Sequence, residues 1–141
     1  MPTLPNPFTL RVYWEDTDAG GVVFYANYLK FFERARTEWL RGLGVGQAAL
    51  QADTGAIFVV AEVNLRYLAS ARLDDLLTVS VQVVEQGQAS MLIAQQAWRG
   101  DTLLADARVR VGCVEGATLR SRRIPKQVLE ALGPKTPTPP L

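Results

Sequence analysis

The 141-residue chain contains no histidine and one cysteine, Cys113. Without histidine, neither a Ser-His-Asp nor a Cys-His nucleophile system can be assembled. Histidine zinc sites are excluded, and one cysteine builds neither a Cys₄ zinc site nor an internal disulfide. No metal site is therefore expected. The lone thiol fits a reducing compartment, and its place among valines and glycine reads as a small buried apolar residue. No apolar run approaches the ~20 residues of a membrane span. The opening Met-Pro-Thr-Leu-Pro-Asn-Pro lacks the basic and apolar regions of a signal peptide. A cytoplasmic protein is expected, with peripheral contact at the inner membrane left open. Charge bias is missing as well: 15 basic and 14 acidic residues leave a net charge of +1. That balance argues against broad electrostatic binding to nucleic acid. There is no GxGxxG or GxxxxGK[ST] element, hence no dinucleotide or P-loop site, and no internal repeat.

What is present suits one domain with one core, at 48% hydrophobic and 21% charged residues. Phe8 to Glu15 alternates and predicts a strand. Asp16 to Gly21 predicts a turn. Tyr25 to about Gly42 predicts a helix, with apolar residues at Tyr25, Tyr28, Leu29, Phe32, Ala35, Trp39 and Leu43 near the 3.6 period. Gln47 to Ala52 adds a short helix ending near Gly55. Ile57–Tyr67, Leu76–Glu85, Ser90–Trp98 and Thr102–Val114 are strand-like, and Gln86-Gly-Gln88 and Arg99-Gly-Asp101 suit hairpins. Leu119–Arg123 reads as strand end or loop. Pro125–Leu132 predicts a short helix, closing a domain over 1–132. Residues 133–141 hold four prolines and predict a disordered tail. The order predicts an α+β fold, one long helix on a curved antiparallel sheet of five to six strands. One helix cannot cover both faces of such a sheet. A second copy of the chain is therefore expected, extending the sheet at an edge or packing on it.

The most informative segment runs from Arg11 to Tyr28. It places Glu15, Asp16 and Asp18 beside Gly20-Gly21, just before a helix. A carboxylate there would lie near free backbone N–H groups at the positive end of a dipole. Base or nucleophile and oxyanion donor would then share one segment. From residue chemistry alone, Asp18 also reads as a turn or capping group, Asp16 as a binder of turn amides and Glu15 as strand surface. The glycines could make a tight turn, admit a ligand to the backbone, or both.

Glu15-Asp-Thr-Asp-Ala-Gly-Gly-Val-Val23, then Asn27-Tyr28, then Glu33-Arg-Ala-Arg-Thr-Glu38, resembles the hotdog-fold acyl-CoA thioesterases. The likeness is to the 4-hydroxybenzoyl-CoA thioesterase type and, within it, the Tol-Pal-associated YbgC group. Ala71-Arg-Leu-Asp-Asp75 with Leu76–Val83 extends it, so it spans roughly Phe8 to Leu132. The resemblance implies a hotdog fold and hydrolysis of acyl-CoA to free acid and CoA. No separate cofactor is implied, since CoA is part of the substrate. Asp18 stands at the catalytic carboxylate position, as nucleophile or as base for water. The backbone amide of Tyr25 stands where the thioester carbonyl is polarised. Gly20, Gly21 and Asn27 fall in the substrate-binding segment. Arg120 stands at a basic position for the CoA nucleotide, across a subunit boundary, with Arg72, Arg122 and Arg123 as further candidates.

The chain departs from the group in two places. Tyr25 replaces a common histidine, and the uncharged Gln86-Gly-Gln-Ala89 replaces a basic cluster. Phe24, Tyr25, Tyr28 and Phe58 are candidates to line an acyl pocket, and Glu33 could be a second acid or part of an ion-pair face. A homo-oligomer is implied, a dimer or a dimer of dimers (a homotetramer). Acyl-carrier protein is an alternative acyl donor. The alternative function is a non-catalytic acyl-CoA-binding or envelope-associated adaptor protein on the same fold.

Overall fold

The computed structural model describes residues 3–133, so the tail expected over 133–141 lies outside it apart from Gly133. The elements are β1 (Phe8–Arg11), α1 (Asn27–Gly42), α2 (Gln47–Thr54), β2 (Ala56–Tyr67), β3 (Leu76–Val79), β4 (Gln82–Gln86), β5 (Ser90–Arg99), β6 (Thr102–Glu115) and α3 (Lys126–Leu132). The strands form one antiparallel sheet in the order β1-β3-β5-β6-β2, with β4 also paired to β5. Among the described residues, no helix is long and apolar enough to cross a membrane.

Three boundaries differ from the sequence pattern. The first strand stops at Arg11, and Trp14–Asp16 forms a single 3-10 turn. Asp16 causes this: its carboxylate accepts the Tyr13 N–H at 2.8 Å. Its carbonyl accepts the Phe24 N–H at 3.0 Å and the Asn27 side-chain amide at 2.8 Å. Such side-chain-to-backbone bonds compete with a strand ladder. Helix α1 begins at Asn27 because Phe24–Asn27 is a turn, closed by the Asn27 N–H on the Phe24 carbonyl at 2.8 Å. Its buried face is Tyr28, Phe31, Phe32, Ala35, Arg36 and Leu40, so Leu29 and Leu43 of the expected stripe face outward.

The expected strand over 76–85 is broken at Ser80-Val81, and β3 and β4 pair in turn with β5 (Val79↔Ala97, Gln82↔Ala94). The Ser80 hydroxyl accepts the Gln96 N–H at 3.0 Å, and the Ser80 N–H donates to the Gln96 carbonyl at 2.9 Å. Hydrogen bonding to β5 thus continues through the break.

Phe31, Phe32 and Ala35 of α1 join one core with the alternating residues Met91, Ile93 and Ala97 of β5 and Ala107, Val109 and Val111 of β6. Hydrophobic burial of this kind is the main favourable term in folding. Among the described residues, strand β2 pairs only with β6, so its other edge is open there. Val60, Val63 and Tyr67 are exposed on it.

Candidate active site

Asp18 opens a tight turn. Its N–H donates to the Val22 carbonyl at 2.9 Å, and the Gly21 N–H donates to the Asp18 carbonyl at 3.0 Å. Gly21 sits at φ +79°, a left-handed conformation that favours glycine. The Asp18 carboxylate folds back over this turn. Oδ1 accepts the Gly20 N–H at 2.8 Å and the Val22 N–H at 3.4 Å, while Oδ2 receives no hydrogen bond among the described residues. A Cβ at Gly20 would lie 3.2 Å from Oδ1, so glycine also clears space for the carboxylate. The turn-residue reading of Asp18 holds at Oδ1, which the Gly20 and Val22 amides orient.

The turn is held against the segment that follows β2. Thr17 bridges Val23, Val22 bridges Arg72, and the Val23 N–H donates to the Ala71 carbonyl at 2.8 Å. The chain then enters α1 through Phe24–Asn27. No hydrogen bond reaches the N–H of Tyr25 or Ala26 among the described residues. The N-cap residue, Ala26, offers no side chain to cap the first turn. Open amides at the positive end of a 16-residue helix form a site for negative charge. Asn27, a substrate-binding candidate, spends its side-chain amide on the Asp16 carbonyl and fixes the helix entrance.

Phe24, Tyr25, Tyr28 and Tyr67 cluster at this entrance, with ring centroids 4.6–6.3 Å apart in the contacts Phe24–Tyr25, Tyr28–Tyr67 and Tyr25–Tyr67. The Tyr28 hydroxyl accepts the Ala71 N–H at 3.1 Å. Burial pushes the Tyr28 phenol up, against the pull of that hydrogen bond. The Tyr67 hydroxyl donates to the Tyr25 carbonyl at 2.7 Å. Sequence reasoning missed Tyr67, and no local pattern links residues 42 apart; only the fold does. Phe58 does not join this cluster. It lines a separate pocket between α1 and the first half of β2, with Glu33, Arg36, Trp39, Val60 and Met91. Glu33 is ion-paired with Arg36, the ordinary helix-face arrangement.

The candidate phosphate ligands divide. Arg72 lies beside the Asp18 turn, its backbone fixed by a 2.8 Å bond from its N–H to Asp75 Oδ2 and its side chain exposed. Asp75 also accepts Arg99 Nη1 at 2.9 Å. Burial works against the Asp75 charge, but the Arg72 amide and Arg99 outweigh it and hold the carboxyl below its ordinary range. Arg122 is committed to the Thr54 carbonyl at 2.7 Å and to Glu115 at 3.0 Å. Arg120 and Arg123 are exposed nearby. These three sit at the Ala56 end of β2, since Ala56 pairs with Glu115 and the Glu115 N–H donates to the Arg120 carbonyl. Tyr25 is tied to the Tyr67 end of that 12-residue strand, about 36 Å away at ~3.3 Å per residue. Within one chain, Arg120, Arg122 and Arg123 are not brought to Asp18. Cys113 is buried and its thiol is pushed up by that burial, so it is not a nucleophile.

Residues 20–105 match the model of the thioesterase superfamily. The chain is 45% identical over 124 residues to acyl-CoA thioesterase YbgC of Haemophilus influenzae, covering 88% of this chain and 91% of that protein. It is 43% identical over 130 residues to acyl-CoA thioester hydrolase YbgC of Escherichia coli, covering 92% and 96%. A probable thioesterase from Bartonella henselae superposes with a TM-score of 0.80 at 33% identity, over 84% of this chain and 98% of that one.

Proposed function

This chain belongs to the thioesterase superfamily, and from that premise we propose that it hydrolyses acyl-CoA thioesters, with Asp18 as the reacting carboxylate. The observation that carries the assignment is the pairing of a half-free carboxylate with an uncapped helix entrance. The thioester carbonyl lies over the start of α1, where the Tyr25 N–H polarises its oxygen. Asp18 Oδ2 attacks the carbonyl carbon. The C–S bond breaks and CoA leaves as a thiolate, a good leaving group because thiol pKa values are ~8.5. Water then hydrolyses the mixed anhydride, releasing the acid and restoring Asp18. A variant of the same geometry has Oδ2 direct water at the carbonyl without an anhydride. Neither route needs histidine.

Arg72 beside the turn is placed to meet the CoA diphosphate, where an arginine fork suits phosphate oxygens. The working unit is a dimer formed across the open edge of β2. Antiparallel pairing of two copies about a twofold axis sets the Ala56 end of one strand against the Tyr67 end of the other. Arg120 and Arg123 of one subunit then serve the Asp18 site of its partner. The decisive assay follows free-thiol release from short, long and aromatic acyl-CoAs, with wild type and Asp18→Asn side by side. Turnover should fall at least ~100-fold in the variant, as loss of a transition-state group requires. Unchanged turnover would remove Asp18 from the mechanism.

A further inference from the structure

We propose that Tyr67 is a positioning residue for this hydrolysis: its hydroxyl fixes the Tyr25–Ala26 peptide so that the Ala26 N–H acts beside the Tyr25 N–H as a second oxyanion donor. The inference rests on the helix-entrance reading above and deepens it.

The Tyr67 hydroxyl donates to the Tyr25 carbonyl at 2.7 Å. In a trans peptide the carbonyl of one residue and the N–H of the next point in opposite directions within one plane. Holding the Tyr25 oxygen therefore aims the Ala26 N–H away from Tyr67, and that N–H meets no acceptor among the described residues. A donor on the carbonyl also polarises the amide and strengthens its N–H. Two adjacent open amides can grip one oxyanion, whereas a single amide leaves it free to swing.

Tyr67 is itself well fixed. It pairs with Ala105 at the end of β2, and its ring stands edge-on to Tyr25 and Tyr28. Tyr28 is anchored in turn by the Ala71 N–H. A group borne on a strand and wedged between rings holds geometry better than one on a loop. Burial, with Tyr25 and Tyr28 close by, pushes the Tyr67 phenol up and keeps it a donor at neutral pH. Folding does not require this bond, because Tyr67 is 46% exposed and water could satisfy its hydroxyl. The bond is made instead to the carbonyl that lies between the Tyr25 and Ala26 amides.

Tyr67→Phe removes the hydroxyl and leaves the ring. Expected are a kcat about tenfold lower, a KM within about twofold, and an unchanged urea midpoint, since only the transition-state charge loses support. A second readout is the carbonyl stretching band of a bound ketone analogue of acyl-CoA, in which CH₂ replaces the thioester sulfur. That band should move back toward its free-solution frequency in Tyr67→Phe. An unchanged kcat, or an unmoved band, would overturn the proposal. Asp18→Asn run in parallel separates the two ideas. An inactive Asp18→Asn beside a normal Tyr67→Phe rejects only the clamp. An active Asp18→Asn rejects the Asp18 mechanism, and the ketone band still tests the amide pair because it needs no turnover.

Discussion

The two oxygens of Asp18 are held differently, and the proposed reaction falls to the one the turn leaves unbound. Oδ1 is bound by the Gly20 and Val22 amides and Oδ2 is not. Local chemistry was legible here: Asp followed two and three residues later by glycine reads as a turn, and the resemblance points to the same carboxylate. The open amides of Tyr25 and Ala26 were only half legible, since the helix entrance was expected at Tyr25 and the turn shifts it to Asn27. Asp75 was not singled out at all, because its role depends on Arg99, 24 residues on. The prediction for Asp75 follows from its ionisation. Its folded carboxyl titrates below the ordinary value of 3.8, so it adds stability above that pH and loses it as pH falls through the folded value. Both partners are partly exposed, at 24% and 37%, which discounts the pair. Asp75→Asn should cost about 1 kcal/mol in urea unfolding at pH 7, and this cost should shrink toward pH 3. An equal cost at both pH values would mean the carboxylate's charge is not what stabilises the loop.

At the scale of elements, periodicity located the helices and most strand ends, and the hairpins at Gly87 and Gly100 lie where the glycines predicted them. It missed the break between β3 and β4 because the apolar alternation runs straight through it. The cause is a tertiary network. Gln95 is fully buried, donates to the Phe32 carbonyl at 3.1 Å and the Ser80 carbonyl at 3.4 Å, and accepts Arg36 Nη1 at 2.9 Å. One side chain thus joins α1, the strand break and β5. Burial pulls the Arg36 guanidinium down, opposed by Glu33, so its partners matter to its charge. Gln95→Leu should cost about 3 kcal/mol, because the buried Arg36 guanidinium keeps only Glu33 as a side-chain partner and the Phe32 and Ser80 carbonyls lose their bonds from the amide. Adding Arg36→Leu should restore part of that loss, with a coupling above about 1 kcal/mol in a double-mutant cycle. Strict additivity of the two changes would show that the pair does not act as a unit.

For the whole molecule, the proposed dimer across the open edge of β2 would set how many chains make one site. Val60, Val63 and Tyr67 are exposed along it, and an unpaired apolar edge invites a second strand. A partner was expected from one helix and many strands, but without a route. It becomes specific once Arg120 and Arg123 are seen at the Ala56 end and Asp18 by way of Tyr25 at the Tyr67 end. Two defective chains can test it. Asp18→Asn keeps its arginines; Arg120→Ala/Arg123→Ala keeps its aspartate. Each alone should be impaired at low acyl-CoA, the second through a raised KM, since charge-assisted contacts to phosphate are lost. When the two are unfolded together and refolded as an equal mixture, half of the dimers are mixed. If the arginines act across the interface, each mixed dimer holds one site with both parts intact and one with neither, and about a quarter of wild-type activity returns. If they act within one chain, no site in the mixture is whole and nothing returns. A charged substitution at Val63 in both chains should abolish the recovery by opening the β2 edge, which ties the regained activity to that interface and not to residual single-variant turnover.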